Sequence, residues 1–106
     1  MSILFENFVS ARLNADILPT DTDIFVQAGQ GDAFPIPAAN EYCILVLEDV
    51  SGQREVVHLT ARVGDTLTVT RGEEGTTPRD YTINDVVEVR VTSGFLRDFV
   101  DGGEYV

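Results

Sequence analysis

Several chemically useful side chains are scarce in this sequence of 106 residues. It has no Trp and no Lys, and it has one Cys, one His and one Met. A single cysteine, Cys43, forms no internal disulfide, and its apolar neighbours predict a buried, inert thiol. One Cys and one His are also too few for a structural zinc site, which needs about four such ligands. We therefore expect no metal centre and no cofactor.

The scarcity of titratable and nucleophilic groups argues against catalysis. His58 falls in an alternating strand pattern, which is typical of a residue on the surface or edge of a sheet. No Ser lies in a Gly-x-Ser-x-Gly elbow, and the pattern buries Cys43. Two acidic clusters, residues 21–23 and 98–104, lack the further ligands of a calcium loop and are typical of a solvated surface. We expect no catalytic residue and a protein that is not an enzyme.

The charge of the chain is strongly one-sided. Eighteen acidic residues against seven basic ones give a formal net charge of −11, and all seven bases are Arg. Such a charge repels DNA, RNA and anionic membranes, so we expect none of them as a partner. No segment approaches the roughly 20 apolar residues of a membrane span, and the N-terminus lacks the basic region of a signal peptide. The sequence predicts a soluble protein made in a reducing compartment.

β-Branched residues are abundant, since Val, Thr and Ile account for 30 of the 106 residues. They fit a pleated surface and lose rotamer freedom in helices. Strict alternation predicts strands with one buried face at residues 54–60, 66–70 and 87–92. Residues 43–48 are apolar throughout, which predicts a strand covered on both faces. Residues 23–27 are a shorter candidate. Residues 8–13 fit either a strand, with Val9, Ala11 and Leu13 inward, or a short helix.

Turn residues divide these segments. Residues 51–53 and 63–65 predict close reversals that join three consecutive strands in a meander. Residues 29–40 and 71–84 predict longer irregular connections. After Ser93-Gly94, four apolar residues at helical spacing predict a short helix or tail. They are Phe95, Leu96, Phe99 and Val100.

These patterns together predict one all-β domain over residues 1–106. We expect a small antiparallel β-sandwich or barrel of about six strands. Its core covers about residues 8–92, and residues 93–106 form a C-terminal helix or tail that could serve as an interface.

The order of the elements is more specific than any single residue. A Phe34-Pro35 turn precedes the apolar strand, and Glu55-Val56 opens the next strand. The following strand reads Leu67-Thr68-Val69-Thr70-Arg71-Gly72-Glu73-Glu74-Gly75-Thr76. This course resembles a small β domain of tailed-bacteriophage tail, baseplate and tail-fibre proteins, with its pattern Leu-Thr-Val-x-Arg-Gly-x-x-Gly-Thr. The resemblance covers roughly residues 8–97 and is most specific over residues 67–77.

The chain departs from that family after the motif. Residues 78–85 stand where the family usually has small residues, a His and a Gly before the last strand. Asn84-Asp85 is still able to make the turn, so the expected fold is unchanged. Such domains often head a longer fibre, whereas this sequence ends at Val106. We therefore expect attachment to other virion proteins rather than receptor recognition.

The resemblance implies a non-enzymatic virion structural protein made in the cytoplasm of the host bacterium. It would be an adaptor or accessory subunit of the tail, baseplate, collar or fibre attachment. Its partners would be other phage virion proteins, and it would form a homo-oligomer within a symmetric assembly. Phe8, together with Phe95, Leu96, Phe99 and Val100, would form an apolar interface patch.

Arg71 has two interpretations in this sequence. A guanidinium at a strand end donates up to five hydrogen bonds, so Arg71 could brace its own loop. Alternatively, Arg71 or the adjacent Glu73 and Glu74 could contact a neighbouring subunit, because Arg makes planar, bidentate pairs with carboxylates.

Three other functions compete with a tail-associated role. A capsid decoration protein would also be small and rich in β-structure. An acidic inhibitor would use the charge of −11 to mimic nucleic acid and bind a basic host protein. A carbohydrate-binding module is disfavoured because the chain has no Trp.

Overall fold

The alternating segments form strands in the computed structural model, which describes residues 2–3 and 9–89. Inward positions along these strands are mostly apolar and outward positions mostly polar, so each strand buries one face. The elements in chain order are β1 (Ser2–Ile3), β2 (Ser10–Arg12), β3 (Asp23–Phe25), a 3-10 helix (Gln30–Ala33), β4 (Glu41–Glu48), β5 (Arg54–Val63), β6 (Thr66–Glu73) and β7 (Val86–Val89).

Six of these strands form one curled antiparallel sheet in the order β2-β7-β4-β5-β6-β3. β1 pairs with β4 in parallel at Glu41 and Tyr42. Strong curling brings the two edge strands together, and a bridge between Leu13 and Val26 connects them. The sheet is therefore a half-barrel, which confirms the predicted all-β fold with about six antiparallel strands.

β4 lies at the centre of the sheet, between β5 and β7. Every residue from 42 to 47 is buried, which confirms the prediction of a strand covered on both faces. Cys43 is buried, as expected. The inner face of the sheet holds the core, formed by Ala11, Leu13, Ile17, Ile24, Val26, Phe34, Cys43, Leu45, Leu47, Val57, Leu59, Leu67, Val69, Tyr81, Val87 and Val89.

Of the two alternatives expected for residues 8–13, the structure shows the strand, at Ser10–Arg12. Element boundaries differ from the sequence-based expectations in two places. β5 continues to Val63 and β6 to Glu73, because two register shifts keep the pair together along its whole length. The connection at residues 29–40 contains a 3-10 helix. Val91 and the predicted C-terminal helix or tail lie outside the described residues.

The direction of the strands sorts the connections into two groups. Because sheet neighbours are antiparallel, β2, β4 and β6 all run towards the same end of the half-barrel. The segments that follow them, residues 13–22, 49–53 and 74–85, therefore meet there, and we call this the loop end. Residues 26–40 and 64–65 follow β3 and β5 and lie at the opposite end.

Candidate functional site at the loop end of the barrel

A buried ion pair lies where β5 and β6 reach the loop end. Glu55 occupies an inward position of β5, in the same alternation as Val57 and Leu59, and its side chain is fully buried. Arg71 of β6 is 5% exposed. Its Nε donates to Glu55 Oε2 at 2.8 Å and its Nη2 to Oε1 at 2.9 Å. This bidentate geometry is the strongest arrangement that Arg and a carboxylate form.

The remaining donors of Arg71 bind the two longer loops. Nη1 donates to the carbonyl oxygens of Leu18 at 2.7 Å and Asp21 at 2.8 Å. Nη2 makes a second bond, to the carbonyl of Arg79 at 2.7 Å. All five N–H groups of the guanidinium are therefore used within the chain. This geometry favours the interpretation in which Arg71 braces its own loop.

Glu55 is saturated in the same way. Besides Arg71, it accepts the backbone N–H of Gly72 at 2.9 Å and that of Arg79 at 3.0 Å. Burying a carboxylate and a guanidinium requires such complete hydrogen bonding to offset the loss of hydration. The pair thus connects β5, β6 and the loops at 13–22 and 74–85 through two almost completely buried side chains.

The rest of the family-like motif supports the same junction. Gly72 has φ +65°, and a Cβ there would lie 2.8 Å from Pro78 Cδ, so Gly fits this position. The Thr76 hydroxyl accepts the N–H of Val56 at 3.0 Å and donates to the carbonyl of Glu73 at 2.7 Å. The motif residues therefore shape the turn that carries the chain away from β6.

The other predicted interface residues divide into two groups. Glu73 is partly exposed, and its Oε1 lies 3.8 Å from His58 Nδ1. Glu74 follows in the turn with φ +55°. The remaining predicted residues, Phe8, Phe95, Leu96, Phe99 and Val100, lie outside the described residues.

His58 lies on the outer face of β5. Its ring stacks on Tyr42 of β4, with ring centroids 4.2 Å apart. Burial lowers the pKa of His58 below its usual value, and the carboxylates of Glu73 and Glu74 oppose that shift. Neutral imidazole is therefore the favoured form in the fold.

An open groove lies on the loop end beside the ion pair. Its volume is about 340 Å³, and it is lined by Pro19, Asp49, Thr77, Pro78, Arg79 and Asp80. These residues come from all three loops, so the sequence offered no local signal for the groove. Arg79 belongs both to this lining and to the Glu55–Arg71 network through its backbone.

Two exposed apolar residues are sequence neighbours of the groove lining. Leu18 is 59% exposed and Val50 is fully exposed, and each is adjacent in sequence to a lining residue. Asp49 anchors the hairpin at 49–53, because its Oδ1 accepts the N–H of Ser51 and of Gln53 and the Ser51 hydroxyl. The Ser51 hydroxyl bond and then the Gln53 bond lower the pKa of Asp49, so it stays ionised.

Within residues 9–89, no group of three or more His, Cys, Asp or Glu side chains is placed to hold a metal ion. No helix in the described part of the chain is long and apolar enough to cross a membrane. The loop end presents the groove and three exposed apolar side chains, those of Leu18, Val50 and Ile83.

Comparisons with protein families and with curated proteins found no match to this chain.

Proposed function

We propose that this chain is a non-enzymatic structural protein of a tailed-bacteriophage particle. It serves as an adaptor or accessory subunit of the tail, baseplate, collar or fibre attachment and docks on other virion proteins. The observation that carries the proposal is the part played by residues 67–77, the stretch that resembles the phage domain. Those residues build the junction around the buried Glu55–Arg71 pair.

The geometry of the motif agrees better with a structural protein than with an enzyme. All N–H groups of the Arg71 guanidinium donate to oxygens of its own chain, and the Thr76 hydroxyl donates to a backbone carbonyl. The motif residues therefore stabilise loops instead of presenting reactive groups. A scaffold with fixed loops suits a subunit that must present one surface to its neighbours.

Mass spectrometry of purified particles tests the virion assignment. Particles from a lysate of the producing bacterium should contain the protein at a fixed stoichiometry to the other structural proteins. A low copy number per particle would agree with the tail, baseplate or collar, whereas a high copy number would indicate decoration of the capsid. If the protein is present in infected cells but absent from particles, the proposal is wrong.

A truncation tests whether the predicted C-terminal patch takes part in docking. Removing residues 95–106 deletes all four apolar residues of that patch, whereas removing only residues 101–106 keeps them and serves as a control. We expect both variants to retain the β-rich circular dichroism spectrum, and only the longer deletion to lose incorporation into particles. Normal incorporation of the longer deletion would contradict the role given to Phe95, Leu96, Phe99 and Val100.

A further inference from the structure

Leu18 is exposed although its backbone is held firmly in place. Its carbonyl accepts a hydrogen bond from Arg71, and its N–H donates to Asp21 Oδ2 at 2.8 Å. The side chain nevertheless remains 59% exposed, and the next residue, Pro19, lines the groove. Val50, on the adjacent hairpin, is fully exposed, and Asp49 fixes that hairpin. A rigid backbone that presents two apolar side chains to water is typical of a docking surface.

The charges of the groove indicate what it would bind. The lining contains two carboxylates, Asp49 and Asp80, and one cation, Arg79. The three hydrogen bonds that Ser51 and Gln53 donate to Asp49 all converge on Oδ1, so within residues 9–89 its Oδ2 keeps its capacity to accept. The nearby Arg71 adds no free charge, because Glu55 neutralises it. An excess of carboxylates beside apolar side chains is complementary to a cation on an apolar segment.

We propose that the groove at the loop end docks a basic segment of another protein. An Arg or Lys of that segment would lie between Asp49 and Asp80, and an adjacent apolar side chain would pack on Leu18 and Val50. The identity of the partner as a virion protein rests on the proposed function above. The existence of the docking surface does not depend on that proposal. Because the buried ion pair already orders the loops, docking would require little further ordering of the backbone.

Two other occupants agree less well with the charges. Nucleic acid would be repelled by the carboxylates and by the net charge of −11. A second copy of this chain would bring the same excess of negative charge to the contact. A basic segment is attracted both by the carboxylates of the groove and by the net negative charge of the whole molecule.

A peptide titration tests the docking surface directly. The probe is the peptide acetyl-Leu-Arg-Leu-Arg-amide, added to the ¹⁵N-labelled full chain, with acetyl-Leu-Glu-Leu-Glu-amide as control. We expect the basic peptide to shift the amide signals of Leu18, Val50, Arg79 and Asp80, and the acidic peptide to shift none of them. The shifts should shrink when NaCl is raised from about 0.05 M to about 0.5 M, because salt screens exposed charges.

Matched variants separate the groove from a general surface effect. Val50→Ser removes an exposed apolar group at the loop end, and Val63→Ser removes one of 81% exposure at the opposite end. Asp80→Asn removes a carboxylate of the groove, and Asp32→Asn removes one at the opposite end. We expect Val50→Ser and Asp80→Asn each to weaken peptide binding at least about threefold, whereas the two opposite-end variants bind like the parent.

The outcomes distinguish this inference from the virion assignment. Loss of incorporation into particles in Val50→Ser but not in Val63→Ser would support both. Groove shifts with the basic peptide, together with absence of the protein from particles, would keep the docking surface and reject the virion role. Shifts confined to the opposite end, equal shifts with both peptides, or none with either, would overturn the docking surface. Concentration-dependent shifts without peptide would assign the groove to a second copy and likewise overturn it.

Discussion

At the scale of single residues, the fold depends most on the buried pair of Glu55 and Arg71. Removing one partner leaves the other charged, buried and short of hydrogen bonds, which costs about 3–5 kcal/mol. We therefore expect Arg71→Ala to lower the free energy of unfolding by about 3 kcal/mol or more. Arg71→Lys should also destabilise, because an ammonium keeps the charge but has three donors instead of five. Urea unfolding followed by circular dichroism measures both.

An exposed pair provides the control for that experiment. Arg54 lies 3.4 Å from Glu48, and its side chain is 57% exposed. Exposed pairs contribute about 0–1 kcal/mol, so Arg54→Ala should change the stability little. Equal losses for Arg54→Ala and Arg71→Ala would contradict the central role given to the buried pair.

His58 gives a second prediction at this scale, and it is the only His in the chain. Burial lowers its pKa below the usual 6.5, and Glu73 and Glu74 partly oppose that effect. Glu73→Gln removes one opposing carboxylate, so the pKa of His58 should fall further. A ¹H NMR titration of the imidazole measures it without ambiguity. Asp32→Asn, at the opposite end, should leave the value unchanged, and a rise in Glu73→Gln would contradict the electrostatic interpretation.

The lowered pKa also has a consequence for folding. A folded state that binds the His58 proton less tightly than the unfolded chain is favoured where the ring is neutral. The stability from this group is therefore complete above pH 6.5 and is lost as the pH falls from 6.5 towards the folded pKa. His58→Phe keeps a ring to stack on Tyr42 and removes the titration. Its unfolding free energy should depend less on pH in that window.

At the scale of elements, the 3-10 helix is held from a distance. Asp65 accepts the N–H of Gly31 at 2.8 Å and that of Gly29 at 3.1 Å. A Cβ on Gly31 would clash with the carbonyl oxygen of Gly64, which is backbone and cannot easily give way. Gly31→Ala should therefore destabilise by about 2–3 kcal/mol, as overpacking does.

Gly52→Ala is the control for Gly31→Ala, because it introduces backbone strain without steric crowding. The free energy of unfolding of both variants is measured in the same way. Gly52 has φ +87° with no heavy atom within 4 Å of an added Cβ. Gly52→Ala should thus cost only the left-handed strain, about 1–2 kcal/mol. A smaller loss for Gly31→Ala than for Gly52→Ala would mean that the 3-10 helix moves freely away from the turn at 64–65.

The strands were predictable because burial of one face is a local property of sequence. The alternation around Val57 and Leu59 indicated β5, and the apolar run at 43–48 indicated the central strand. The 3-10 helix was missed because two of the hydrogen bonds that hold it are accepted by Asp65, more than thirty residues away. β5 was predicted too short because the register shifts that extend it depend on its pairing with β6.

The site was predictable only in part. Arg71 was recognised as a donor that could brace its loop, but its partner Glu55 was not. A signal existed, since Glu55 continues the inward alternation of Val57 and Leu59, where an acid requires a buried cation. The groove could not be foreseen, because its lining belongs to three loops that only the curled sheet brings together.

At the scale of the whole molecule, the two ends of the half-barrel are distinct. The loop end carries the groove and the exposed side chains of Leu18, Val50 and Ile83. β2 starts and β7 finishes at the opposite end, because β2 runs towards the loop end and β7 runs away from it. A partner docked in the groove would therefore leave the opposite end accessible. An adaptor between two neighbours needs such an arrangement.

The net charge of −11 leads to the last prediction. Like charges at this density oppose the compact state, whereas the exposed ion pair of Arg54 with Glu48 contributes little stability at 3.4 Å. Raising NaCl from about 0.01 M to about 0.5 M screens the repulsion and leaves the buried Glu55–Arg71 pair nearly untouched. A gain of ~1 kcal/mol would raise the melting temperature by roughly 4–8 °C. The variant Asp80→Asn carries one negative charge fewer, so its melting temperature should start higher and rise less. A melting temperature that falls with NaCl would show that local ion pairs outweigh the repulsion across the surface.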